Sequence, residues 1–143
     1  MKIRELQQAD FEGVKKLIEE LENVEMDFVP FLSIFNEYLQ KKDGICWVIE
    51  IEEERIVGFL SCFGQRLLHH CDWVYEIQEL IITKDYQGQG LGKIVIEKLV
   101  ATLKEKNVFS LEVTTNKKRI HAHEFYKTVG FVNSHEKFTM YFK

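Results

Sequence analysis

The stretch Glu79-Leu80-Ile81-Ile82-Thr83-Lys84-Asp85-Tyr86-Gln87-Gly88-Gln89-Gly90-Leu91-Gly92-Lys93 constrains this chain most, because an apolar strand runs there into a glycine-rich turn and then a helix. Gly88, Gly90 and Gly92 alternate with Gln89 and Leu91, so the backbone can take positive φ and approach a ligand with no Cβ in the way. The helix expected from Leu91 to about Lys106 carries Leu91, Ile94, Val95, Leu99, Ala101 and Leu103 at largely helical spacing. Its free N–H groups and positive dipole end face the turn, which is the physics of a pyrophosphate site. The same order sets N–H donors along a line, with Leu80, Ile81 and Ile82 for the arm of a linear cofactor and Gln87 to Lys93 for its phosphates.

Three kinds of cradle compete for this pattern. A dinucleotide fold wants G-x-G-x-x-G after the first strand, whereas these glycines are spaced G-x-G-x-G and come late in the chain. A P-loop wants G-x-x-x-x-G-K-[ST], and Ile94 stands where the metal-binding hydroxyl belongs. The segment Gln87-Gly88-Gln89-Gly90-Leu91-Gly92 instead resembles the Q/R-x-x-G-x-G/A loop of the GCN5-related N-acetyltransferases, whose loop amides hold the pyrophosphate of coenzyme A. A second segment, Ala122-His123-Glu124-Phe125-Tyr126-Lys127-Thr128-Val129-Gly130-Phe131, looks like the A-x-x-F-Y-x-x-x-G-F motif of that family. The resemblance implies acetyl-CoA as cofactor, with Asn116, Phe125 and Tyr126 beside it and Tyr126 as general acid toward the departing thiolate. In the loop, Gln87 stands where arginine is more frequent, which removes a charge near the pyrophosphate.

The remaining chain is compatible with this. At 143 residues it is long enough for one domain, 1–143, with a sizeable core. Net charge is -4, so a broad electrostatic footprint for nucleic acid or an anionic membrane is absent, and any anion must be met by local groups. The N-terminal Met1-Lys2-Ile3-Arg4-Glu5 lacks the apolar run of a signal peptide and no segment approaches a membrane span, so a cytoplasmic location is expected. Cys46, Cys62 and Cys71 show no metal-type pairing and are expected as free thiols.

In chain order, Ile3 and Leu6 open a short strand, and Asp10 offers an N-cap for a helix with Val14, Leu17, Ile18 and Leu21 on one face. Pro30 can begin a second helix carrying Phe31, Ile34, Phe35, Tyr38 and Leu39, aromatics expected mainly in the core. Strands follow at Ile45 to Ile51, Ile56 to Phe63 and Trp73 to Thr83, the first two joined by a hairpin at Glu52 to Arg55. After the cofactor helix come a strand at Val108 to Thr114, a helix within Asn116 to Thr128 closed by Gly130, and strand material at Phe131-Val132 and Phe138 to Phe142. The order β-α-α-β-β-β-α-β-α-β matches the acetyltransferase fold. The resemblance implies an α+β single domain with a central mixed, mostly antiparallel sheet flanked by about four helices.

Outside the cofactor motifs, Leu68-His69-His70, Glu76-Ile77-Gln78-Glu79-Leu80, Asn116-Lys117-Lys118-Arg119 and Ser134-His135 are similar to the aminoalkylphosphonate N-acetyltransferases, a branch whose known members depend on a divalent metal. The resemblance implies acetylation of a small primary amine and points to His69, His70, Gln78, Lys118 and Arg119 on the acceptor side, with the metal and its ligands unassigned. Lys118 and Arg119, with Arg66 as a third, are also the cations available to hold a phosphonate. An alkylammonium, with a pKa near about 10.4, must lose a proton before it attacks a thioester, and Glu79 is the candidate base, directly or through water, with Glu76 as substitute. Other readings remain open: an acetyltransferase for a polyamine, aminoglycoside or amino acid, a non-catalytic acyl-CoA-binding module, or a nucleotide-binding protein. The expected partners are acetyl-CoA and a small amine, not nucleic acid or membrane. The oligomeric state is left open, a homodimer included.

Overall fold

The sheet is built from the apolar runs of the middle of the chain. The computed structural model describes residues 1–143, apart from the side chain of Glu53. Strands β1 (Lys2–Glu5), β2 (Gly44–Ile51), β3 (Arg55–Leu67), β4 (Asp72–Ile82) and β5 (Ser110–Val113) lie side by side in that order. The first three pairings are antiparallel and β4 with β5 is parallel. Helices α1 (Phe11–Glu22) and α2 (Phe28–Gln40) cover one face, where Phe11, Val14, Leu17 and Phe35 pack on Cys46, Val48, Phe59 and Ile81. Helix α3 (Leu91–Glu105) covers the other with Val95, Ile96, Leu99 and Leu103 on Trp47, Ile49, Leu60, Tyr75 and Ile77. Helix α4 (Ile120–Thr128) joins that second layer through Phe125, with Val129 just past its end. The fold is single-domain α+β with a five-stranded mixed sheet and four helices.

Several local expectations change. Asp10 stands at the N-cap position of α1 but does not cap it, because a short 3₁₀ turn at Gln8–Asp10 gives it helical φ and ψ of -84° and -2°. Its buried carboxylate instead accepts from both terminal nitrogens of Arg4 at 2.9 and 2.8 Å and from the Gln7 N–H at 2.8 Å. Asp10, then Glu50, hold the Arg4 guanidinium proton more tightly than usual. Helix α2 begins at Phe28, so Pro30 lies within the first turn, where no intrahelical N–H bond is lost.

The strand expected from the last residues does not form. Beyond Phe131 the chain has no ladder partner, and Val132, Phe138, Met140, Tyr141 and Phe142 are all exposed. A strand needs a neighbouring edge to satisfy its backbone, and this segment does not run along β5, whose outer edge is free.

Candidate active site

The site starts from a break in register. Ser61 pairs with Glu79, but the next residue of β3, Cys62, pairs with Ile77, so Gln78 is an extra residue bulged out of β4. Before the bulge Tyr75 and Ile77 face α3; after it Leu80 and Ile82 do, and Glu79 and Ile81 are turned toward α1 and α2. The bulge also ends the contact with β5, which covers only Val74 to Ile77. From Gln78 to Ile82 the edge of β4 turned away from β3 faces no other strand.

That open edge leads through a 3₁₀ turn, Lys84–Tyr86, into the glycine loop. Gly88 and Gly90 take φ of 79° and 82°, and a Cβ at either position would meet no heavy atom within 4 Å. The N–H groups of Gly88 to Lys93 donate to no acceptor among the described residues, and the helical ladder begins with Ile94 N–H on the Gly90 carbonyl at 3.1 Å. Gln87 is exposed, and its amide donates to the Ile82 carbonyl at 2.8 Å, so it braces the loop to β4. The Phe125 ring lies where a Cβ of Gly92 would come within 3.1 Å of it, which brings α4 against the first turn of α3. An open strand edge followed by six unpaired N–H groups at the positive end of a 15-residue helix fits acetyl-CoA, amide arm first and pyrophosphate second. Gly90→Val adds branching to a left-handed residue and fills the approach. It is expected to weaken acetyl-CoA binding in calorimetry at least about tenfold, while costing about 1–2 kcal/mol of fold stability through backbone strain.

Glu79 sits at the end of the bulge with two donors fixed on it. The Tyr38 hydroxyl, from α2, lies 2.9 and 3.2 Å from its two carboxylate oxygens, and the Ser61 hydroxyl donates to Oε1 while accepting from the Glu79 N–H at 3.0 Å. Tyr38 is itself held edge-on by Phe63, with ring centroids 4.8 Å apart. Burial, and then the Glu79 charge, push the Tyr38 phenol well above the usual tyrosine range, so it stays a donor. A carboxylate has about four acceptor positions, and these contacts leave room for a substrate N–H or a water. Tyr38 was expected mainly as core and Ser61 was not singled out. The signal for Ser61 was its place as the one hydroxyl in the run Ile56 to Phe63, where it is fully buried.

The other candidates divide into three regions. Tyr126, on α4 behind Phe125, is half-buried against Phe125 and Phe131 at centroid distances of 5.2 and 5.4 Å. Burial pushes its phenol up to about 12, with Arg119 pulling it back. Asn116 turns the chain into α4, accepting Lys118 N–H on its side chain and the His123 ring on its carbonyl. Arg119 reaches the end of α1, 3.6 Å from the Glu22 carboxylate and 3.3 Å from the Leu21 carbonyl, and Lys118 is exposed. Gln78 is exposed on the bulge and bonds Glu76, which also accepts from Thr114. His69 and His70 are in neither place. They form the tip of the β3–β4 hairpin with rings 4.2 Å apart and His70 stacked on Phe109, seven or more residues along β4 from Glu79, or roughly 23 Å. Glu76 and Glu79 share a face of β4 across the bulge, but only Glu79 meets Tyr38 and Ser61.

No three His, Cys, Asp or Glu side chains converge into a metal-holding group among the described residues. Burial raises the Cys46 and Cys62 thiols to about 12, which makes them packing groups, not nucleophiles; Cys71 is exposed in the hairpin turn. No helix is long and apolar enough to cross a membrane.

Comparison with known proteins adds a name to this arrangement. The sequence model of the acetyltransferase (GNAT) family matches residues 2–131. An aminoalkylphosphonate N-acetyltransferase of Salmonella typhimurium is 32% identical over 97% of this chain and 92% of its own. A probable glucosamine 6-phosphate N-acetyltransferase of Drosophila melanogaster is 26% identical over 92% of this chain and 61% of its own. Among solved structures, a transcriptional regulator from Bacillus halodurans superposes with a TM-score of 0.89 at 26% identity over 99% of both chains, an extent that includes the tail after α4. An aminoglycoside acetyltransferase from a soil metagenome follows with a TM-score of 0.82 at 21% identity, covering 99% of this chain and 95% of its own.

Proposed function

Since this chain belongs to the GNAT family and its homologues are N-acetyltransferases using acetyl-CoA, we propose that it acetylates the primary amine of a small anionic molecule of the aminoalkylphosphonate class. The observation that carries the reading is the Glu79 carboxylate, aimed by Tyr38 and Ser61 at the place where β4 opens toward the glycine loop. With acetyl-CoA laid along Leu80 to Ile82 and its pyrophosphate on Gly88 to Lys93, Glu79 takes the ammonium proton, directly or through one water. The freed amine attacks the thioester carbonyl, the C–S bond breaks as the departing thiolate takes a proton from the Tyr126 hydroxyl, and the second proton released by the amide nitrogen returns to the tyrosinate through solvent.

On the acceptor side, Gln78, Lys118 and Arg119 are the residues assigned to the anion. The exposed Arg119–Glu22 pair, at 3.6 Å, is worth little, so a phosphonate that accepts bidentately can displace it. His69 and His70 are left out because the hairpin carries them away from Glu79. The test is steady-state kinetics with thiol detection, with and without a divalent metal. Aminomethyl- and aminoethylphosphonate are expected to turn over faster than spermidine, an aminoglycoside or free amino acids. Arg119→Ala is expected to raise KM for the phosphonate about 10- to 100-fold with kcat nearly unchanged. Turnover of spermidine or an aminoglycoside without turnover of either phosphonate overturns the acceptor class and leaves acetyl transfer standing.

A further inference from the structure

The turn into the glycine loop is held from the opposite layer of the molecule. Glu20, in the last turn of α1, reaches the end of β4, where its Oε1 accepts from the Thr83 hydroxyl at 3.2 Å and from the Lys84 N–H at 3.4 Å. Thr83 stands at the N-cap of the 3₁₀ turn Lys84–Tyr86, a position from which a threonine hydroxyl ordinarily accepts an N–H of the turn that follows. Here it makes no such bond, and the carboxylate from α1 caps the turn in its place. The other hydrogen bonds of this stretch are backbone or local: Thr83 N–H on Val57, Tyr86 N–H on Thr83, Gln87 N–H on Lys84, the Gln87 amide on Ile82 and the Gln89 amide on Asp85. Among the described residues, Glu20 is the one side chain from outside residues 82–90 that hydrogen-bonds the turn.

The two carboxylate oxygens are unequal. Oε2 is buried and meets no donor among the described residues, which costs stability, so this carboxylate is a poor anchor for α1 itself. The helix needs none there: Val14 and Leu17 fix it to the sheet at 2% and 5% exposure, and Glu19 ties down the chain that follows by accepting the Met26 N–H at 2.9 Å. What Glu20 controls is the point at which β4 ends and the loop begins. We propose that Glu20 is a positioning residue for acetyl-CoA, pinning Thr83 and Lys84 so that the N–H groups of Gly88 to Lys93 stand preformed for the pyrophosphate. This role rests on the glycine loop being the acetyl-CoA cradle. Gly88 and Gly90 have positive φ and no heavy atom within 4 Å of where a Cβ would lie, so the loop has little to pack on and is placed by its two ends, the Thr83–Lys84 pin and α3. A loop that is competent for only about a third to a tenth of the time binds about three- to tenfold more weakly, although no contact with the ligand is lost.

Calorimetric titration with acetyl-CoA tests this without reference to the amine acceptor. Glu20→Ala is expected to raise Kd about three- to tenfold, while Glu20→Gln, which keeps the accepting oxygen, stays within about twofold of the unaltered chain. A carboxylate acting through its charge has the opposite sign, since its removal beside a pyrophosphate tightens binding in both variants. Thr83→Val, which removes the hydroxyl alone, is expected to weaken binding about two- to threefold and to add nothing to Glu20→Ala in the double variant, because the two side chains form one contact. Should Glu20→Ala fail to fold, Thr83→Val decides, and an unchanged Kd there overturns the proposal. Tighter binding in both Glu20 variants, or equal weakening in the two, overturns it as well. Gly90→Val is titrated alongside. If it leaves Kd unchanged, the cradle is misplaced and the role of Glu20 goes with it; if it weakens binding while Glu20→Ala does not, the cradle stands and Glu20 does not position it.

Discussion

Glu79→Gln is expected to lower kcat/KM near neutral pH by about 10²- to 10⁴-fold, the range for loss of a positioned general base, with acetyl-CoA affinity retained. The amide still fits between Tyr38 and Ser61 but cannot take the ammonium proton, so activity should recover as pH rises toward the amine pKa of about 10 and free amine becomes available. Pre-steady-state acetylation across pH checks this, and a flat deficit at all pH values assigns Glu79 to binding instead. Tyr126→Phe should show the opposite signature. With its phenol pushed up to about 12, Tyr126 stays protonated throughout the working range, so the variant should lose rate nearly uniformly with pH. The same shift carries a stability sign. Above pH 10 the unfolded chain releases a proton that folded Tyr126 retains, so its contribution is constant below about 10 and is lost as pH rises toward 12.

The second large effect falls on stability, far from the chemistry. Asp10→Ala is expected to cost about 3–5 kcal/mol, because it strips the Arg4 guanidinium and the Gln7 N–H of their acceptor inside a site where Asp10 is 3% exposed. For a chain of this size that is a fall in Tm of roughly 6–20 °C, readable by differential scanning calorimetry. Glu50, 3.2 Å from Arg4, keeps part of the pair, so combining Glu50→Gln with Asp10→Ala should cost less than the sum of the two if Arg4 is then free to turn to water. A loss below 1 kcal/mol means the pair is replaced by solvent at no cost and does not anchor β1 to α1.

The strand, glycine turn and helix proposed to hold the cofactor were legible because they are written in local, backbone-directed chemistry. Gly88 and Gly90 take positive φ, and the strand before them and helix after them run within a residue of where periodicity puts them. Helix α1, the β2–β3 hairpin and the free thiols followed from equally local signals. His69 and His70 show the opposite case. Adjacent in sequence to a strand that carries the site, they are swung to the far tip of a hairpin because β3 continues to Leu67, four residues past where its apolar run stops at Phe63.

By itself the sequence determined the order of strands and helices as far as α4, the glycine turn and the family motifs, since each depends on spacing within a dozen residues and on φ and N–H requirements that few residue types meet. Only the tertiary structure decided which way Glu79 points. Unbroken alternation would put it with Tyr75 and Ile77 under α3, and one bulged residue, Gln78, turns it to meet Tyr38 from α2 and Ser61 from β3 instead. Register against a neighbouring strand, the burial of Asp10 under Arg4 and the release of the last residues from the sheet are settled by partners 6 to 41 or more positions away. Such contacts leave no periodic trace in the chain that makes them.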